Sequence, residues 1–306
     1  MDQVSFGQIL KYYRIQNNLT QEELASGICS RKYIIRLEQN QQIPTLDIVN
    51  QLCNKLEINL YDTYALILRH HNIETHEKIE KLNQFFSREK GTQLKQLIDE
   101  YSKLDDFQYG EPYKILCYAR CLYLGNVEKN FQAARDIAYT VLSAEYPNFE
   151  MPNFIPVSLS NSDLSLLLSL ATNYYRNGQS DESVLTYEII LRYLKSILSR
   201  SHYAVNKNHH FEMSLYGLVV YNLFITNKDF ENNYEEELDF ILNTLKTTEN
   251  SFHLPELLFC KAYICKQKNC EADYESYYQM AYQIGKFLYD EQTLFNISNE
   301  LFGKDI

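Results

Sequence analysis

Leu19-Thr20-Gln21-Glu22-Glu23-Leu24-Ala25, running on through Ile28-Cys29-Ser30-Arg31-Lys32-Tyr33-Ile34-Ile35-Arg36-Leu37-Glu38 to Pro44-Thr45-Leu46, decides how this chain folds at its start. Upstream, Phe6, Ile9, Leu10 and Tyr13 recur at helical spacing and predict a first helix with one buried face, Lys11 on its flank and a left-handed stop at Asn18. Thr20 suits an N-cap, and Gln21, Glu22 and Glu23 place amide and acidic side chains in the first turn, at the positive end of a helix. Ser30 offers the next N-cap, Ile34 and Leu37 face inward, and Asn40 ends the third helix. Arg31, Lys32, Ile35 and Arg36 stay outside, with Tyr33 at the edge. Two short helices joined by a tight turn let the second project into a DNA major groove. The DNA-facing candidates are therefore Gln21, Ser30, Arg31, Lys32, Tyr33 and Arg36.

This spacing resembles the Cro/repressor-type (XRE) helix-turn-helix, over residues 6–60 and through the trailing Leu46, Ile48, Val49, Leu52 and Leu56. The resemblance carries two departures. Asn18 and Asn40 stand where that family often has Gly, and one turn residue before Cys29 is missing. Asn is the next-best residue for positive φ, so the fold is expected to survive. The resemblance also implies a structural pair between Arg14 and Glu38.

Charge supports a division of labour. The first 70 residues hold seven basic and seven acidic side chains out of 29 and 40, which leaves 22 against 33 for the remainder, so the whole net charge of −11 lies beyond residue 70. An acidic remainder repels phosphate, whereas the basic residues of the first segment gather on its first and third helices and give a local footprint for a DNA backbone. A reader with so little net charge is expected to act as two copies on one operator. Arg31 or Arg36 would favour guanine, and Gln21 could reach adenine or a phosphate.

With 306 residues, two units are expected. No apolar run approaches the ~20 residues of a membrane span, and Met1-Asp2-Gln3 does not open a signal peptide, so the expected location is cytoplasmic and no membrane partner is expected. The seven cysteines, at 29, 53, 117, 121, 260, 265 and 270, form no disulfide framework and read as reduced thiols. Cys117 and Cys121 would share a helix face, Cys265 and Cys270 less well; neither pair has metal-ligand spacing, so no metal site is expected. No His-Glu-x-x-His, Gly-rich phosphate loop or Gly-x-Ser-x-Gly elbow is present, and neither catalysis nor a cofactor is expected.

Beyond His70-His71-Asn72 the chain is poor in Gly and runs in long amphipathic stretches, which predicts an all-helical remainder. Its clearest unit is Leu164 to Leu191, where Leu170, Ala171, Tyr174, Gly178, Ser183, Tyr187 and Ile190 stand at tetratricopeptide-repeat spacing. Ala134, Ala138 and Val141 mark a degenerate second helix over Phe131 to Ala144, Tyr216 to Leu242 a further unit, and Leu257 to Ile284 another. Such pairs stack into a right-handed superhelix with a concave groove suited to an extended peptide. Breaks are expected over Tyr146–Pro156, Asn206–His210 and Asn250–His253, and Glu74 to Lys90 reads as a linker helix. The expected organisation is all-α: residues 1–70 the helix-turn-helix domain, 71–90 the linker helix, and 91–306 the repeat domain for peptide binding and dimerisation.

An XRE-type reader followed by about five degenerate tetratricopeptide repeats resembles the peptide-pheromone receptors of Gram-positive bacteria, the PlcR, NprR, PrgX and Rgg group. That resemblance implies a homodimeric, quorum-sensing transcription regulator with two partners, a double-stranded DNA operator and a short signalling peptide. Independently, an Asn carboxamide can satisfy one N–H and one C=O of an extended peptide at once. Asn222 matches the family's clamp position; Asn173, on the first helix of the clearest repeat, is the second candidate, and Tyr263 could wall the groove. The alternative is a phage or mobile-element repressor whose repeats bind a protein partner. Phe287, Leu288, Leu294, Phe295 and Leu301 keep the last helices apolar where a solenoid end should be polar, which points to dimerisation there.

Overall fold

The computed structural model describes residues 5–58, 60, 65, 67, 72–86, 91–149, 154–156, 158–200, 210–226, 234–248 and 251–303. Every regular element among them is helical, as the patterning predicts. Contacts divide the chain into one unit up to Ala119 and another from Arg120 on. Much of the expected break at Asn206–His210 lies outside the described residues, as do the boundary at residues 68–71 and the end of the expected linker at 87–90.

In the first unit, α1 (Phe6–Gln16), α2 (Gln21–Ala25), α3 (Arg31–Glu38) and α4 (Leu46–Leu56) surround a core of Ile9, Leu10, Leu24, Ile34, Leu37, Val49, Leu52 and Leu56. Each helix start is capped. Ser5 and Gln8 form a capping box on α1, Thr20 and Glu23 form another on α2, and Ser30 and Thr45 cap α3 and α4. The stops are equally local: Asn18 and Asn40 hold φ of 54° and 57°, and the amides of Leu19 and Gln41 bond back to the carbonyls of Arg14 and Arg36.

Further along, α5 (Ile73–Asn83) begins on Asn72, whose carboxamide caps Thr75 and donates to Asp106 at 2.8 Å; the Thr75 hydroxyl donates to the same carboxylate at 2.6 Å. The expected linker helix is thereby tied to the short 3-10 turn Asp105–Phe107 that follows α6 (Gly91–Tyr101). Helix α7 (Gly110–Leu122) runs into a π-helical turn, Tyr123–Glu128, and the division between the units falls within α7.

The second unit continues as helix hairpins: α8 (Phe131–Glu145), α9 (Asn161–Arg176) with α10 (Ser180–Arg200), α11 (His210–Thr226) with α12 (Glu235–Thr248), and α13 (Leu254–Gln267) with α14 (Glu271–Leu288), closed by α15 (Glu291–Phe302). Besides its own partner, each of α9, α11 and α13 touches the corresponding helix of the next step, α9 on α11, α11 on α13 and α13 on α15. That is the nearest-neighbour order of a helical-repeat array. The clearest expected repeat shows why its small residues are small: Gly178 turns the chain at φ 81°, and the buried Ser183 hydroxyl donates across the crossing to Ala171 O at 2.9 Å. Among the described residues no helix is long and apolar enough to cross a membrane.

Candidate functional site

Helix α3 presents its charge outward because its apolar residues are consumed by the core. Ile34 and Leu37 are fully buried, whereas Arg31, Lys32 and Arg36 are exposed and make no ion pair or hydrogen bond with a described residue through their charged ends. Tyr33 is half-buried and packs against the core, leaving one edge outside. Ser30 sits at the tip of the helix, its hydroxyl committed to the Tyr33 amide at 3.2 Å. Three cations on one short helix, none paired with a described residue, suit a polyanion: pairing them with phosphate breaks none of the ion pairs described.

Beneath this face Glu38 organises the motif. Its carboxylate accepts from Arg14 Nε at 2.6 Å and Nη2 at 3.3 Å, while Arg14 Nη1 reaches Leu19 O at 2.8 Å. Gln21 Nε2 donates to the same carboxylate at 2.8 Å. One buried acid thus joins α1, the start of α2, and α3. Gln21, placed among the DNA-facing candidates, has one amide proton engaged inward; its amide oxygen makes no hydrogen bond with a described residue.

A contact that the helical pattern does not announce locks α1 to the end of α3. Gly7 N donates to Asn40 Oδ1 at 3.1 Å, and a Cβ at position 7 would lie 2.1 Å from Leu37 O. Asn40 therefore supplies positive φ and, in addition, an acceptor for one of the unpaired amides at the start of α1, which a glycine there could not do.

In the second unit, the first helices α9 and α11 each leave one narrow stripe partly open. On α9 it runs through Ser165, Leu168, Thr172 and Tyr175, and on α11 through Phe211, Ser214, Leu218, Asn222 and Ile225. Asn222 belongs to that stripe: it is half-buried, and its carboxamide bonds to no described residue. Asn173 does not. It is buried, its Nδ2 turns back to Ser169 O at 2.7 Å and Oγ at 3.2 Å, and its Oδ1, without a hydrogen-bond partner among the described residues, faces the π-helical turn where a Cβ on Gly125 would come within 2.6 Å. This is a helix-crossing position, off the open stripe on which the repeat spacing places a groove residue. Tyr263 is half-buried and packs edge-on to Phe302 at 5.9 Å, in a cluster with Phe259, Tyr274 and Tyr278 that joins α13, α14 and α15.

Next to Asn222, Tyr221 reaches from α11 to α15, donating to Glu300 Oε2 at 2.5 Å; burial and that carboxylate push the Tyr221 phenol far above its ordinary range. Glu256, buried in the first turn of α13, accepts from Tyr289 OH at 2.9 and 3.1 Å. Among the described residues no cluster of His, Cys, Asp and Glu could hold a metal ion. Of the apolar residues expected at the last helices, Phe287 is 89% exposed and Phe295 56%, while Leu294 is buried under Gly285.

Residues 10–62 match the helix-turn-helix family HTH_3. No curated protein sequence matches the chain. Among solved structures, PlcR of Bacillus thuringiensis in complex with the peptide PapR7 and DNA is similar at a TM-score of 0.59 and 17% identity, covering 98% of this chain and 99% of that one. The SHP pheromone receptor Rgg2 of Streptococcus dysgalactiae is similar at 0.52 and 14%, covering 96% and 97%, and a putative transcriptional regulator of Listeria monocytogenes EGD-e at 0.50 and 14%, covering 97% and 96%. At such identities the likeness is one of fold. The chain is a DNA-binding helix-turn-helix regulator with the fold of these solved structures.

Proposed function

We propose that this regulator is a quorum-sensing receptor, in which a short linear peptide lies along the open stripe of the repeat helices and biases the grip of α3 on an operator. The observation that carries the reading is the stripe itself. On α11 nearly every other position is buried, and what remains open is a row of three apolar side chains, Phe211, Leu218 and Ile225, with two polar ones, Ser214 and Asn222, the Asn222 carboxamide being uncommitted among the described residues. An extended peptide supplies apolar side chains for such a row and a backbone N–H and C=O for the amide. The PlcR structure, similar over almost the whole chain, holds both a peptide and DNA.

On this reading Arg31 and Arg36 read base edges, Lys32 and Tyr33 touch phosphates, Ser30 and Gln21 set the helix start against the backbone, and Arg14 with Glu38 holds the reader together. Two copies present two α3 helices about 34–36 Å apart on a palindrome, and a peptide that favours one arrangement of the pair shifts DNA affinity by its differential affinity alone. The exposed Phe287 and Phe295 belong to the surface between copies, and the protein works in the cytoplasm. The domains are assigned as residues 1–70 for DNA, 71–90 as linker and 91–306 as tetratricopeptide repeats for peptide and dimer.

The test is calorimetric titration of the full chain with short synthetic peptides encoded beside its gene, followed by operator binding with and without the one that binds. A peptide that binds and changes operator affinity supports the reading. Co-purification of a folded protein partner on the repeats, with no peptide bound, would favour a repressor controlled by an antirepressor.

A further inference from the structure

The joint between α13 and α14 holds two cysteines five residues apart. Lys268 closes α13, Asn269 takes φ 55°, the amide of Asn269 donates to Lys266 O at 3.1 Å, and the amide of Cys270 donates to Cys265 O at 2.9 Å. These two bonds define a Schellman turn, a motif in which side chains at the positions of Cys265 and Cys270 frequently pack together. The hydrogen bond also limits their separation. With 2.9 Å between N and O and standard bond lengths on either side, the two α-carbons are at most about 6.8 Å apart, within the ~4.4–6.8 Å that disulfides span.

The two thiols differ in access. Cys270 is exposed, its sulfur lying back over the turn at 3.7 Å from Lys268 O, whereas Cys265 is 8% exposed, its thiol pushed up chiefly by burial, with Cys270 among the groups that act on it. The other closely spaced pairs lack these features: Cys260, five residues before Cys265 on the same helix, is fully buried. Cys117 and Cys121 are both buried, and the Cys121 thiol donates to Ala134 O at 3.2 Å.

We propose that Cys265 and Cys270 form a peroxide-responsive dithiol that closes to an intramolecular disulfide across the α13–α14 turn. The Cys270 thiolate attacks one oxygen of hydrogen peroxide and becomes a sulfenic acid, and the displaced hydroxide leaves as water. Cys265 sulfur then attacks the Cys270 sulfur, the S–S bond forms as the S–O bond breaks, and the thiol proton leaves with the second hydroxide. Two thiols and one peroxide yield one disulfide and two waters. The exposed thiol is the one oxidised, and the buried neighbour resolves it before further oxidation.

Trypsin makes the product legible, because Lys266 and Lys268 lie between the two cysteines. The reduced full-length protein is treated with a small excess of hydrogen peroxide, alkylated in denaturant, digested and weighed. The expected species joins peptide 262–266 to peptide 269–286, two hydrogens lighter than the pair, is released by reductant, and forms several-fold faster in the folded chain than in urea. Cys270→Ser removes it and leaves Cys265 alkylated. Sulfinic or sulfonic acid at Cys270 beside an alkylated Cys265, a Cys270 bridge between two chains, or equal rates in folded and urea-unfolded protein would each overturn the proposal.

Discussion

Asn40 Oδ1 accepts the backbone N–H of Gly7 at 3.1 Å, and the space around Gly7 is so tight that a Cβ there would stand 2.1 Å from Leu37 O. Two effects oppose each other in Gly7→Ala. Alanine gains roughly 0.5–1 kcal/mol of helix propensity, but a backbone carbonyl cannot swing away as a side chain can, so overpacking of about 1–3 kcal/mol wins. Gly7→Ala is expected to lower the urea midpoint of the helix-turn-helix transition; an unchanged or raised midpoint would contradict the close approach. Asn40→Gly should keep the turn and lose the hydrogen bond to Gly7 N, at a cost of about 1 kcal/mol.

Glu38 receives three side-chain hydrogen bonds from two residues, and its side chain is 4% exposed. Removing one partner of a buried pair typically costs about 3–5 kcal/mol. Glu38→Ala is expected to unfold the reader, visible in a circular-dichroism melt, beyond any loss of DNA contact. A melt identical to wild type would mean the network contributes nothing.

The cations of α3 should separate by salt dependence. Lys32→Ala is expected to weaken binding to all duplexes alike and to reduce the slope of log K against log salt by about 1, as one lost phosphate contact does. Arg36→Ala is expected to cost about 1–3 kcal/mol on the preferred site and to relax the preference at one base pair. The same slope for both variants would remove the distinction between base reading and phosphate contact.

Asn222→Ala removes an amide that no described residue uses, so melting temperature and peptide-free DNA binding are expected to stay at wild-type values while peptide affinity falls at least tenfold. Wild-type peptide affinity in calorimetry would refute the clamp. Asn173→Ala is expected to act differently, shifting stability instead, since that amide is buried against Gly125.

Alkaline pH offers an independent check on the repeat packing. Burial raises the phenol of Tyr187 to about 12, and pushes those of Tyr146, Tyr216, Tyr221 and Tyr289 up as well. A phenol with a raised folded pKa favours the folded state as long as it stays neutral. That stability is complete below the ordinary value of about 10 and is lost as pH climbs towards the folded values, each tenfold difference in acidity between unfolded and folded phenol being worth about 1.4 kcal/mol. Stability from these groups is expected to be flat from pH 7 to about 10 and to fall steeply above it, with phenolate absorbance rising together with unfolding. Phenolate appearing in the folded protein near pH 10, in full count, would contradict their burial.

Local chemistry makes most of the fold legible in the residues themselves. Thr20 and Ser30 as caps, Asn18 and Asn40 as left-handed stops, and the helix pair read over Leu164 to Leu191 depend on neighbours within one or two turns, and the structure has each of them. What escaped depends on distant partners. The Gly7 contact with Asn40 joins residues 33 apart, and only a glycine in the first turn of an amphipathic helix hinted at it. Asn173 and Asn222 look alike in sequence. The difference is one of phase, because Asn222 continues the open stripe of its helix while Asn173 sits beside it, against a π-helical turn whose extra residue no periodicity announces.

The most direct measurement is selection of duplexes from a random pool by the purified full-length protein at moderate ionic strength, with and without its peptide. The expected result is an enriched palindrome whose half-sites lie one helical turn apart, protected from cleavage, lost on combined Arg31→Ala and Arg36→Ala substitution, and changed in affinity when peptide is added. Recovery of the unselected pool under every condition would contradict the account at its centre.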